Sequence, residues 1–111
     1  MAAADEAAEM DFRKDKNAVK SKRVGGRLFV NRDSVWTDAG HTGTVQVVDV
    51  APFSPAWFAL TRALPEIVPW LSAGDSVLIA GKRVSIRVTE KGLTSWPAGQ
   101  LERVTRQFRG A

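Results

Sequence analysis

Pro52-Phe53-Ser54-Pro55-Ala56-Trp57-Phe58-Ala59-Leu60 carries a complete set of helix-start signals. Ser54 is a good N-cap, because its hydroxyl can accept a hydrogen bond from an otherwise unpaired N–H of the first turn. Pro55 suits the first helical position, where its missing N–H costs nothing. Phe53 before the cap and Phe58 at the fourth helical position have the spacing of a hydrophobic staple. Trp57, Leu60 and Leu64 then form a stripe at helical spacing, so this helix is expected to lie on a sheet with Trp57 in the core. Pro65 and Pro69 interrupt it, and Pro65 to Leu71 reads as a second short helical segment that stops near Gly74.

Outward from that helix the chain reads as strands. Towards the N-terminus, Arg27–Val30 and Val35–Asp38 are short β-prone runs. They flank Asn31-Arg32-Asp33-Ser34, a group of turn formers that predicts a tight hairpin. After the loop Ala39-Gly40-His41-Thr42-Gly43, residues 44–50 carry Val45, Val47, Val48 and Val50. A strand apolar on both faces predicts little exposure. On the C-terminal side, residues 76–80 and 83–88 form a hairpin around Gly81-Lys82. Val84, Ile86 and Val88 face inward there, and Arg83, Ser85, Arg87 and Thr89 face outward. The expected fold is α+β: a small, mostly antiparallel β-sheet or partial barrel of about five strands, with one main helix between strands three and four.

Three segments follow from this pattern. Residues 1–23 read as a flexible or frayed-helical leader, since Met10 and Phe12 are the only large apolar residues between Met1 and Val19. Gly25-Gly26 reads as a flexible entry to the first strand. Residues 24–90 form the single α+β domain, and 91–111 a C-terminal tail with a short helix or strand in Leu101–Phe108.

The 111 residues are 44% hydrophobic and 25% charged, which suits one ordinary domain with a modest core. The chain has no cysteine, so disulfides, thiolate metal sites and cysteine nucleophiles are excluded. One histidine and no tyrosine leave few general acids or bases. His41 has no companion in sequence and reads as an ordinary exposed loop residue. Asp33, Asp38 and Asp49 match no calcium-loop or di-metal spacing. Neither a G-x-S-x-G elbow nor a phosphate-binding loop is present. The composition therefore argues against an enzyme, and no cofactor is expected.

Sixteen Lys/Arg against twelve Asp/Glu give a net charge of +4. The excess lies mainly in Arg13–Arg23 and in Arg103, Arg106 and Arg109, so it reads as solvated tails. No apolar run approaches the roughly 18 residues of a membrane span. The start, Met1-Ala2-Ala3-Ala4-Asp5-Glu6, has neither the basic nor the apolar region of a secretory signal. The four tryptophans read as packing residues, with Trp70 and Trp96 at the edges of the core.

The segment Val24–Val88 resembles the module that follows the von Willebrand type A domain in bacterial proteins that also carry a vault/inter-α-trypsin-type domain. The matching residues are Val24 to Val30, Arg32 to Asp38, Pro52 to Leu60, Leu64-Pro65-Glu66 and Leu71 to Val77, in the family's order and spacing. Ser34 departs from the family's usual glycine. The Asp-x-Ser-x-Ser metal motif of the type A domain itself has no counterpart in Asp75-Ser76-Val77-Leu78-Ile79. The resemblance implies a non-catalytic accessory domain of a cell-envelope or surface protein, working through a protein partner or self-association. An alternative follows from strand order alone: three strands, a helix and two strands also describe an OB-fold. In that reading Arg27, Arg32, Lys82, Arg83 and Arg87 line a basic face for single-stranded nucleic acid, and Phe29 and Trp36 stack on bases.

Overall fold

The computed structural model describes residues 20–110. Most of the leader expected at residues 1–23 therefore lies outside the described residues, as does Ala111. Six strands among the described residues form one sheet: β1 (Ser21–Val24), β2 (Arg27–Arg32), β3 (Val35–Asp38), β4 (Gln46–Val50), β5 (Val77–Ile79) and β6 (Val84–Val88). Helix α1 (Pro55–Ala63) follows β4. A 3₁₀ turn at Pro65–Ile67 and a short α2 (Val68–Leu71) lead to β5, and α3 (Gln100–Arg109) ends the fold.

The sheet order is β1-β2-β3-β5-β6-β4. Three neighbouring pairs are antiparallel, and β3–β5 and β4–β6 are parallel. The fold is α+β as expected. The sheet is open, so of the two forms anticipated the sheet is the one realised, and the barrel on which the OB reading leaned is not.

The sixth strand is β1, which begins within the segment read as leader. Gly25 and Gly26 both have positive φ, and they form the two-residue turn joining β1 to β2 rather than a loose entry. Such a turn needs positive φ at both central residues, which glycine adopts without strain. The next hairpin makes the same demand of less suitable residues. Asp33 and Ser34, with φ of 53° and 69°, connect Arg32 to its partner Val35. Ser34→Gly is therefore expected to stabilise the protein by about 0.5–1 kcal/mol, offset in part by the freer unfolded chain. Urea unfolding would show a higher midpoint at an unchanged slope.

All helices pack on one face of the sheet. Phe29, Val48, Val50, Val77, Ile79, Val84 and Ile86 meet Leu60, Leu64, Ile67, Val104 and Phe108 in one cluster. The inward set Val84, Ile86 and Val88 is buried as the alternation predicted. Strand β4 differs from expectation. It is one of the sheet's two outer strands, with helices on one face only, so Val48 and Val50 are buried while Val47 and Asp49 remain partly exposed. The stripe of α1 also differs: Ala56, Leu60 and Leu64 are the wholly buried positions. Ala56 lets the helix approach closely, donating its N–H to the Thr94 carbonyl and accepting the indole N–H of Trp96.

The segment expected to be a tail belongs to the packed unit. Helix α3 buries Val104 and Phe108 in the core. Arg109 holds Glu66 through two 2.9 Å hydrogen bonds, and this partner lowers the Glu66 pKa.

Candidate functional site

The seven residues proposed from sequence as a contact surface do not share a face. Phe29 is wholly buried beneath the helices. Trp36 is on the same face, with Lys22 Nζ 4.1 Å from its ring centroid, and it packs against Gly74. Arg32 and Arg87 point to the opposite side of the sheet, by the alternation of β2 and β6. Arg87 is held there by a two-point ion pair with Asp49, at 2.6 and 3.0 Å. Lys82 and Arg83 occupy the β5–β6 turn, where their N–H groups donate to the Phe108 and Gln107 carbonyls. Arg27 is committed elsewhere: it bonds Asp38 and lies 3.9 Å from the Trp70 ring centroid. A continuous stacking platform flanked by cations is not assembled.

His41 is not a freely exposed loop side chain. Its Nδ1 lies 2.8 Å from Ser85 Oγ, and Ser85 is fully buried. The β3–β4 loop crosses the outer sheet face at this point, so Ser85, read as outward and exposed, is covered. The pair satisfies a buried hydroxyl. Among the described residues no group of three His or acidic side chains could hold a metal ion, and no helix is long and apolar enough to cross a membrane.

The feature with the form of a site lies at the start of α1. Ser54 caps the helix as predicted: its Oγ accepts the Trp57 N–H at 3.2 Å and donates to the Ala51 carbonyl at 2.8 Å. The staple does not form. Phe53 has a φ of +59°, and it is 74% exposed. A bulky side chain in this left-handed region is strained by about 1–3 kcal/mol. Its ring instead lies 4.9 Å from Trp57, which meets Phe58 edge-on at the same distance. Phe58 is itself 47% exposed, so three aromatic rings form a step along the helix start.

Phe53 and Trp57 form one wall of a groove of about 500 Å³. The other wall comes from Leu71, from Asp75 and Ser76 before β5, and from Thr89, Glu90 and Lys91 after β6. These segments meet because β5 starts and β4 and β6 end at the same edge of the molecule. Trp57, expected in the core, therefore touches the core on one side and lines the groove on the other. Of these residues Phe53 and Trp57 carried a signal in sequence through the helix-start motif, and Asp75 entered only through the family resemblance. The predicted hairpin of residues 76–80 and 83–88 already brings Asp75 near Glu90, but nothing local indicates that Phe53 and Trp57 adjoin them.

Comparison with family models, characterised proteins and solved structures returns no match for this chain.

Proposed function

We propose that this chain is a non-catalytic protein-interaction or assembly module, an accessory domain of a bacterial cell-envelope or surface protein. One observation carries the interaction reading: Phe53 stands exposed, at a strained backbone angle, on the rim of a groove that shares its aromatic wall with Trp57. Large exposed aromatic clusters beside a concavity mark surfaces that other proteins cover. Aromatic rings also supply most of the energy at such contacts, since they bury much area with few rotatable bonds. The envelope assignment rests on the resemblance in Val24–Val30, Arg32–Asp38, Pro52–Leu60, Leu64–Glu66 and Leu71–Val77 to the von Willebrand-associated module.

The test is site-specific photocrosslinking in a bacterial host expressing the full chain. Benzoylphenylalanine replaces Phe53 in one variant and Asp33, in the distant hairpin turn, in another. A discrete protein adduct, heterologous or with a second copy, is expected at position 53 and not at position 33. Equal adducts at both positions, or none at 53, would remove the support for this reading.

A further inference from the structure

We infer that the groove beside Phe53 and Trp57 selects a cationic side chain, a lysine or arginine presented by a segment of a partner protein. This rests on the interaction reading above and names the chemistry of the guest. The groove combines two features that favour one kind of ligand. Its wall presents the rings of Phe53 and Trp57, whose faces attract a cation through the ring quadrupole. Its lining also includes two acids, Asp75 and Glu90, which flank the paired strands β5 and β6. Both acids are exposed, and among the described residues neither enters an ion pair. Lys91 is the other charged residue of the lining, so the groove carries a formal charge of −1 (two acids and one base). That sign is opposite to the +4 of the whole chain.

The fold already uses the same pairing inside itself. Lys22 lies over Trp36 at 4.1 Å, and Arg27 lies over Trp70 at 3.9 Å while bonding the carboxylate of Asp38. The Arg27 arrangement, a guanidinium between an indole and an acid, shows the kind of pairing that the aromatic and acidic residues of the groove would offer a guest cation. An aliphatic stem on Phe53 with its charged head between Asp75 and Glu90 uses both halves of such a side chain. An acidic guest would meet two like charges, and a neutral apolar guest would leave both carboxylates unused while drying them.

The experiment is a titration of the ¹⁵N-labelled full chain with three capped pentapeptides that differ only at two positions: lysine, norleucine or glutamate. The expected result is that the lysine peptide shifts the Trp57 indole signal and the amides of Phe53, Ser76 and Glu90. Its affinity should exceed that of the norleucine peptide about tenfold and fall as salt rises. Asp75→Asn with Glu90→Gln should remove that preference, and both positions are exposed, so folding should be unaffected. Phe53→Ala should weaken lysine and norleucine peptides alike. If norleucine and lysine peptides bind the groove equally, cation selection is overturned while the groove stands as a docking site. If no peptide shifts the groove and position 53 also gives no photoadduct, both readings fall.

Discussion

Asp38→Ala is expected to cost about 3–5 kcal/mol of folding stability, the range for breaking a buried ion pair by removing one partner. Asp38 is 5% exposed at the end of β3, and each carboxylate oxygen has specific donors. Oδ2 accepts from Arg27 Nη1 at 2.6 Å and from the Ala80 N–H at 3.1 Å, and Oδ1 accepts from the Gly40 N–H at 2.9 Å. Arg27 also donates to the Ala80 carbonyl at 2.7 Å. One carboxylate thus ties β2, the β3–β4 loop and the end of β5 together. Its loss leaves a part-buried guanidinium without its counter-charge and two backbone N–H groups without acceptors, which is why the penalty exceeds that of an exposed pair. Asp38→Asn should cost less, because an amide oxygen can still accept from one of these donors. Against a typical total of 5–15 kcal/mol, the alanine variant should melt more than about 10 °C lower by differential scanning calorimetry. A change within about 0.5 kcal/mol would mean that the charges are hydrated in solution.

The parts of this fold that could be read from sequence are those whose signal is local. Ser54-Pro55 caps and starts α1 through contacts within four residues, and Val84, Ile86 and Val88 show their buried face by simple alternation. Strand β1 escaped because Ser-Lys-Arg-Val buries almost nothing: an outer strand is held by backbone pairing, and charged side chains there discourage pairing with other molecules. The available sign was Gly25-Gly26, which suits a two-residue hairpin turn as well as a hinge. Leu60 and Leu64 are buried as the helix stripe predicts, and only its first position differs, because Trp57 outweighs Ala56 on any hydrophobicity count. Packing favours the small residue, since it brings α1 close to the backbone at Thr94.

The site was less legible than the fold for a physical reason. Its walls are joined by the parallel pairing β4–β6, which links strands far apart in the chain. No short-range pattern encodes which strands become neighbours across such crossovers. Phe53 has a second difficulty: a positive φ on phenylalanine is set by the turn out of β4 and runs against the preference of the residue. The sequence reading therefore sent its ring onto Phe58, whereas the backbone turns it to the groove.

Removal of the final helix should have the other large effect. Phe108→Ala is expected to cost about 3–5 kcal/mol, because a 5% exposed ring is lost from a core that can collapse only in part. The ring packs on Gly81, where even a methyl group would come within 2.5 Å of Phe108 Cδ2. The same residue's carbonyl accepts the Lys82 N–H at 2.9 Å, and the Gln107 carbonyl accepts the Arg83 N–H at 3.0 Å. Helix α3 thus seals the β5–β6 turn with both apolar area and main-chain hydrogen bonds. Its end is defined as well: Gly110, with a φ of 82°, returns its N–H to the Arg106 and Gln107 carbonyls. A chain truncated after Glu90 would expose the buried faces of Val84 and Ile86 along with the turn. Circular dichroism and urea unfolding should then show retained secondary structure without a cooperative transition. Full-length Phe108→Ala should still unfold cooperatively, at a lower midpoint. If the truncated chain unfolded at the parent midpoint, α3 would be an appendage and the domain would close at residue 90. The hydrogen bonds from residues 82 and 83 to the last turn of α3 argue for the opposite result.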